Sequence, residues 1–260
     1  MTTIPDGVLE LAPWSTSMAD LALACGWAFD KKYRQKVKSL ETPPESQTVG
    51  LVIHKVLEIA IQGVDVDHVF RQVLPSFDLT HNLKEEVLTF RDAVVDFIDR
   101  IGRFKKQFGV MKTVPEKRVA ISPAFTSTNF FDKKGLFRGV IDATLITQDK
   151  RCVVLDHKTG AHKPLSMYQD QLEGYAVMMT ATYPELTAVR AGIHYVGGDP
   201  QPDGKRIVWA REHTAEYVNT RLRQTLVMHL AHAAEAAKSN TPKKSWMCNY
   251  CGYKPICPLY

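Results

Sequence analysis

The sequence predicts an α/β chain of the α+β kind, in which a helical N-terminal part leads into a small α/β core, a closing helix and a cysteine-bearing tail. Three observations predict it. Apolar residues recur at helical spacing through roughly the first 111 residues. From residue 112 the pattern changes to short segments rich in β-branched and aromatic residues, separated by Lys, Gly, Asp and Gln turn signals. Three of the five cysteines fall near the C-terminus with the spacing C-x2-C-x5-C. A length of 260 residues suits one large domain, divided here into 1–111, 112–212 and 213–260.

In chain order, residues 15–38 read as a helix. Ser15, Thr16 or Ser17 can cap it, and Leu21, Ala24, Cys25, Ala28 and Phe29 recur at helical spacing. Pro43 and Pro44 cannot continue a helix and break the pattern. A second helix is expected at 49–62, stopping at Gly63, a short third at 65–73 and a long amphipathic fourth at 83–108. Strands are expected at 113–121, 124–131, 136–147 and 152–158, followed by a helix at 166–182. Two more strands (188–198 and 205–213) and an alanine-rich helix at 214–239 complete the chain, without internal repeats or low-complexity tracts.

Composition removes several classes of function. With 45% hydrophobic residues the chain can bury a core without a disulfide scaffold. No run of eighteen apolar residues occurs, so no membrane helix is expected. The first residues, MTTIPDGVLELAPW, lack the charged and apolar regions of a secretory signal, which makes the cytoplasm the expected compartment. Clustered cysteines there read as ligands of a metal or cluster. The net charge of +5 permits a polyanionic partner. Residues 30–38, DKKYRQKVK, carry five basic side chains, and RFKKQ at 103–107 carries three more. These runs are either solvated helix faces or phosphate contacts.

The stretch GVIDATLITQDKRCVVLDHKTG holds the densest chemistry. Asp142 lies in one expected strand, and Asp156 and Lys158 in the next. Strand side chains alternate, so Asp156 and Lys158 share a face and His157 points the other way. Two carboxylates at the ends of adjacent strands form a hard oxygen site suited to Mg2+ or Mn2+, and the main-chain carbonyl of His157 could add an oxygen. Lys158 could then orient or deprotonate water, or neutralise charge on a phosphate. A surface ion pair between Asp156 and Lys158 is the plainer alternative. His54 and Glu58 lie four apart on one helical face, as do Gln171 and Tyr175. His54 could complete the metal shell, and Gln171 with Tyr175 could steady Lys158 or hold a nucleic-acid strand.

Taken together, Gly50, His54, Asp142, Asp156, Lys158, Gln171 and Tyr175 form the order G-x3-H…D…D-x-K-T-G…Q-x3-Y. This order resembles the RecB-type branch of the PD-(D/E)XK nucleases over roughly residues 50–176. The resemblance implies a restriction-endonuclease-like core with a central mixed sheet flanked by helices. It implies that His54, Asp142 and Asp156 bind the metal, that Lys158 serves the attacking water, and that Gln171 and Tyr175 form the motif on the following helix. Glu116 falls where relatives often carry an acid, although a surface strand charge is the simpler reading.

Cys25 with Cys248, Cys251 and Cys257 is similar to the pattern of the iron–sulfur members of that branch, among them CRISPR-associated exonucleases, the AddB nuclease domain and the eukaryotic flap-processing helicase–nuclease. A [4Fe-4S] cluster is therefore implied, with a four-thiolate zinc site as the rival. Cys152 reads as a core residue.

The implied activity is that of a DNA exonuclease acting on single-stranded ends in recombination, repair, phage or CRISPR DNA processing, often 5′ to 3′. A non-catalytic nucleic-acid-binding module with a structural cluster or zinc is the alternative. Trp14, Trp27 and Tyr33 could stack bases. No G-x4-G-K-[ST] occurs, so unwinding would fall to a helicase, recombinase or single-strand-binding partner.

Overall fold

The first apolar stripe of the sequence becomes several short helices, not one. The computed structural model describes residues 3–41, 44–197 and 206–260; Pro43, Gly198 and Lys205, used above, lie outside them. After α1 (Asp6–Leu11), helix α2 (Thr16–Ala24) starts at Ser15, whose hydroxyl accepts a hydrogen bond from the Met18 N–H. The expected helix at 15–38 breaks at Cys25, which is extended (φ −163°, ψ 100°). A second short helix, α3 (Gly26–Phe29), runs into a π-helical turn at Asp30–Arg34. The break has a steric cause. Gly26 lies against the main chain of the closing helix, where a Cβ would stand 2.2 Å from the Ser239 carbonyl oxygen, so only glycine fits.

Four helices follow: α4 (Glu45–Ala60), α5 (Val66–Val73), α6 (His81–Thr89) and α7 (Arg91–Gln107). Asp65 caps α5 and Thr80 caps α6 through their side-chain oxygens. The long helix expected at 83–108 is two helices that meet at Phe90. The Phe90 ring packs where a side chain on Gly197 would come within 2.4 Å of it, so the kink docks an aromatic at the end of the central sheet.

Among the described residues, six strands form one mixed sheet. They are β1 (Val110–Ile121), β2 (Phe137–Thr147), β3 (Arg151–Lys158), β4 (Ala188–Tyr195), β5 (Ile207–Trp209) and β6 (His213–Thr214). The order is β1-β2-β3-β4-β5, with β6 also pairing with β4. Every pairing is antiparallel except β3 with β4, which are parallel and joined by α8 (Gln169–Thr182), the crossover that parallel neighbours require. Pro115 is tolerated because β1 is an edge strand. The segment expected as a strand at 124–131 is a looped turn touching the sheet at one bridge, Ile121 to Ser127. There Asn129 and Asp132 side chains accept main-chain N–H bonds locally, displacing the ladder. The chain closes with α9 (Ala215–Tyr217), a π-helical turn and α10 (Arg223–Ala236).

Helices cover both faces of the sheet. Ala143, Leu145, Val153 and Leu155 bury against Val52, Ile53 and Val56 of α4 and Phe97 of α7. Cys152, Val154, Val189 and Ile193 bury against Ala176 and Val177 of α8 and Leu230 of α10. Burial on both faces explains the near-continuous apolar run of β3. Its C-terminal residues Asp156, His157 and Lys158 therefore emerge at the seam between α4 and α8. Trp14 and Trp27, offered as base-stacking residues, are both buried; the Trp14 indole N–H donates to the Val8 carbonyl at 2.9 Å.

Candidate metal centre

Three elements bring one ligand-bearing side chain each to that seam. Helix α4 supplies His54, β1 supplies Glu116 and β2 supplies Asp142. One atom from each lies within 4.8 Å of the other two, and no other such group of His, Cys, Asp and Glu occurs among the described residues. His54 Nδ1 stands 3.4 Å from Asp142 Oδ1 and 4.0 Å from Glu116 Oε1, while Nε2 is 3.1 Å from the His157 carbonyl oxygen. Gly50, one turn before His54, allows α4 to approach the loop after β3, where a Cβ would lie 3.3 Å from Thr159 Oγ1. Glu116 has φ +44°, the left-handed region, in a strand position facing Asp142. Such a backbone costs about 1–3 kcal/mol in a non-glycine residue and clusters at functional sites.

The charges answer to this geometry. Burial pushes the Asp142 carboxyl up most strongly, but the hydrogen bond and charge of His54, with His157, hold it below the ordinary value. The His157 N–H donates to Asp142 Oδ2 at 2.6 Å. Burial opposes a charged His54, yet Asp142, Asp156 and Glu116 raise it above its ordinary value. Burial, then the charge of Asp142, raises Glu116. A crowded set of acids and one imidazole is an arrangement that a divalent cation would relieve.

The other expected residues gather beside it in a second constellation. Lys158 Nζ is 2.6 Å from Asp156 Oδ2. Gln171 Nε2 donates to Asp156 Oδ1 at 2.8 Å and to the Tyr175 hydroxyl at 2.7 Å. That hydroxyl lies 3.2 Å from Asp156 Oδ1 and 3.1 Å from the Val140 carbonyl oxygen. Burial raises the Asp156 carboxyl, against the pull of Lys158. Asp156, expected among the metal ligands, binds Lys158, Gln171 and Tyr175 while its charge still acts on His54 and Asp142, and Glu116 joins those two from β1. The resemblance points to Glu116 only as an acid at a place where relatives often carry one; its position opposite Asp142 comes from strand pairing and a left-handed kink. His157 contributes main chain only. Its ring points to the other face, 3.0 Å (Nδ1 to Nδ1) from His194, and burial pushes it down to about 4.

The four cysteines Cys25, Cys248, Cys251 and Cys257 line one cavity of about 180 Å³. The tail is tied to the N-terminal helices by Tyr253 Oη to the Val37 carbonyl at 3.0 Å and by Leu40 N–H to the Gly252 carbonyl at 2.8 Å. Lys243 N–H points at Cys25 Sγ (3.5 Å) and Ser245 N–H at Cys248 Sγ (3.3 Å), polarity that suits thiolates. Cys152 is buried in β3, apart from this cavity, and burial pushes its thiol up to about 12.

Comparison with known proteins agrees with this architecture. Residues 13–258 match the family described as the PD-(D/E)XK nuclease superfamily. Among solved structures, one described as a candidate exonuclease from Eubacterium rectale is 12% identical, covers 92% of this chain and 87% of its own, and superposes with a TM-score of 0.50. At that identity the likeness concerns the fold. The structure of SSO0001 is 18% identical over 93% of this chain and 94% of its own, with a TM-score of 0.34. No curated protein matches the chain.

Proposed function

This chain belongs to the PD-(D/E)XK nuclease superfamily, and we propose that it is a metal-dependent exonuclease of the RecB type that hydrolyses phosphodiester bonds at single-stranded DNA ends. One observation carries the reading. His54, Glu116 and Asp142 converge from a helix and two strands beside an Asp156–Lys158 pair. One imidazole and two carboxylates are a mixed donor set weighted to hard oxygen, which fits Mg2+ or Mn2+. When bound by His54, Glu116 and Asp142, the cation would supply Lewis-acid stabilisation of charge on the phosphate.

The chain's own residues do the rest. Asp156 stands between the two constellations. Its oxygens hold Lys158, Gln171 and Tyr175, and its charge acts on His54 and Asp142. Gln171 and Tyr175 fix the carboxylate; the carboxylate fixes the ammonium. Lys158 is then placed to orient the attacking water or to offset charge on the phosphate. The side chain is about one-third exposed, so solvent and substrate reach it.

Cys25, Cys248, Cys251 and Cys257 are proposed to hold a [4Fe-4S] cluster that staples the tail to the N-terminal helices. All four thiols face one cavity. A four-thiolate zinc site is the rival that a visible spectrum tells apart from the cluster. No described helix is long and apolar enough to cross a membrane. We place the protein in the cytoplasm, with a helicase, recombinase or single-strand-binding protein supplying unwound ends.

The test begins with anaerobic purification and a visible spectrum, in which a brown protein is expected. End-labelled single-stranded DNA is then incubated with Mn2+ and either wild type or Lys158→Ala. Wild type is expected to trim the DNA, and the variant to do so at least about 10²-fold more slowly. Equal cleavage by both proteins sinks the catalytic assignment. Binding without cleavage by either points to the non-catalytic module.

A further inference from the structure

The turn between β1 and β2 has no part in the site above, yet it is built with care. It presents Phe131 to solvent at 68% exposure, with Phe130 behind it, ring to ring at 5.2 Å and nearly perpendicular. A solvent-facing phenyl ring on a loose loop would be ordinary. Here the loop is fixed. Asn129 Oδ1 accepts from the Phe131 N–H at 2.9 Å, Asp132 Oδ1 accepts from the Lys134 N–H at 2.9 Å, and the Thr128 hydroxyl donates to Asp132 Oδ2 at 2.7 Å. Those bonds engage both oxygens of Asp132, the turn's one carboxylate. The surroundings are cationic. The Arg118 guanidinium lies over both rings at 5.8 and 5.9 Å, Arg138 lies over Phe130 at 5.5 Å, and Lys133 and Lys134 are exposed beside them.

The register relates this patch to the metal centre. Arg138 and Asp142 lie four residues apart in β2, on the same side of the alternation. Arg118 pairs with Val140 between them. Four strand residues span about 13 Å, or about four stacked nucleotides at a rise of ~3.4 Å.

We infer that Phe131, backed by Phe130, Arg118 and Arg138 and flanked by Lys133 and Lys134, is a docking platform for the DNA strand. An unstacked base lies on the exposed Phe131 ring, and the two lysines take adjoining phosphates. Aromatic faces accept any base, and cations beside them take the backbone, so the platform binds without regard to sequence. A protein partner for an apolar tip would not call for four cations around it; a polyanion does. The inference takes its ligand from the nuclease reading, but its test does not depend on cleavage.

The experiment measures fluorescence anisotropy of a labelled single-stranded oligonucleotide in EDTA, where no cutting occurs, across a salt series. Phe131→Ala is expected to weaken binding about tenfold with an unchanged salt slope, and Phe131→Tyr to restore it to within about twofold. The double variant Lys133→Ala, Lys134→Ala is expected to weaken binding and flatten the slope of log K against log salt by about 1.4, two phosphates at ~0.7 each. Wild-type affinity in Phe131→Ala overturns the base seat, leaving the ring to a partner other than DNA. An unchanged slope in the lysine variant overturns the phosphate contacts. A wild type that binds as described but never cuts with Mn2+ defeats the nuclease reading and leaves the platform standing.

Discussion

Glu116 shows how much one residue's role depends on its neighbours. In the sequence it is an acid among PEKRVAI, at a place where relatives often carry one, with a solvated strand charge as the simpler reading. In the fold, a left-handed backbone places its carboxylate 4.0 Å from His54 and close enough to Asp142 for each to raise the cost of the other's charge. If this set binds a cation, Mn2+ at 100 times its dissociation constant is expected to stabilise wild type by about 2.7 kcal/mol. Partners that only support ligands change affinity by about 10–100-fold, so Glu116→Gln is expected to weaken Mn2+ binding at least about tenfold. A Mn2+ titration followed by the melting temperature checks this; an unchanged affinity in the variant removes Glu116 from the site. The motif order singled out His54, Asp142, Asp156, Lys158, Gln171 and Tyr175 as candidates, and local period places only Asp156 with Lys158 and Gln171 with Tyr175. The division of labour among them was not legible. Asp142 and Asp156 look equivalent in sequence, yet one faces His54 and the other Lys158, Gln171 and Tyr175.

At the scale of elements, the strands β2 and β3 and the crossover helix α8 lie close to their expected positions, because apolar runs bounded by turn residues are strong local signals. The N-terminal helices depart from expectation where tertiary contact overrides periodicity. Residues 15–38 carry a helical stripe, but the chain breaks at Cys25 so that Gly26 can pass against the Ala236 and Ser239 carbonyls. The same break turns Cys25 into the cavity that Cys248, Cys251 and Cys257 share. Gly26→Ala therefore tests whether the kink holds the tail. A methyl group would lie 2.2 Å from main-chain oxygen, which cannot swing aside as a side chain can. Overpacking of this kind costs about 1–3 kcal/mol. A lower melting temperature and a smaller brown chromophore per protein are expected; full stability and full colour would show that the two segments do not depend on this contact.

For the whole molecule, two helical layers around a sheet create the buried seam behind the site. His157 and His194 lie there, both fully buried, and burial depresses both below the ordinary histidine value. Their neutral forms are favoured by folding, so their stabilisation is present above the unfolded value of about 6.5 and is lost as pH falls toward the folded values. A histidine kept neutral at about pH 5 forfeits about 2 kcal/mol relative to neutral pH. Urea unfolding at about pH 7.5 and pH 5 is expected to show a steeper loss in wild type than in His194→Gln, which keeps a polar group but does not titrate. Equal losses would mean that His194 takes up its proton in the folded protein. The sequence by itself determined the α+β layout, the strands carrying Asp142, Asp156 and Lys158, and the order of motifs shared with a nuclease superfamily. These follow from side-chain period and spacing, which are local. Only the tertiary structure decided that Glu116 joins His54 and Asp142, that Asp156 also takes Gln171 and Tyr175, that the helix expected at 15–38 breaks to bring Cys25 to the C-terminal thiols, and that residues 124–131 form an aromatic turn. Each of these rests on strand register, a forbidden Cβ or a hydrogen bond, and such constraints exist only once distant segments pack.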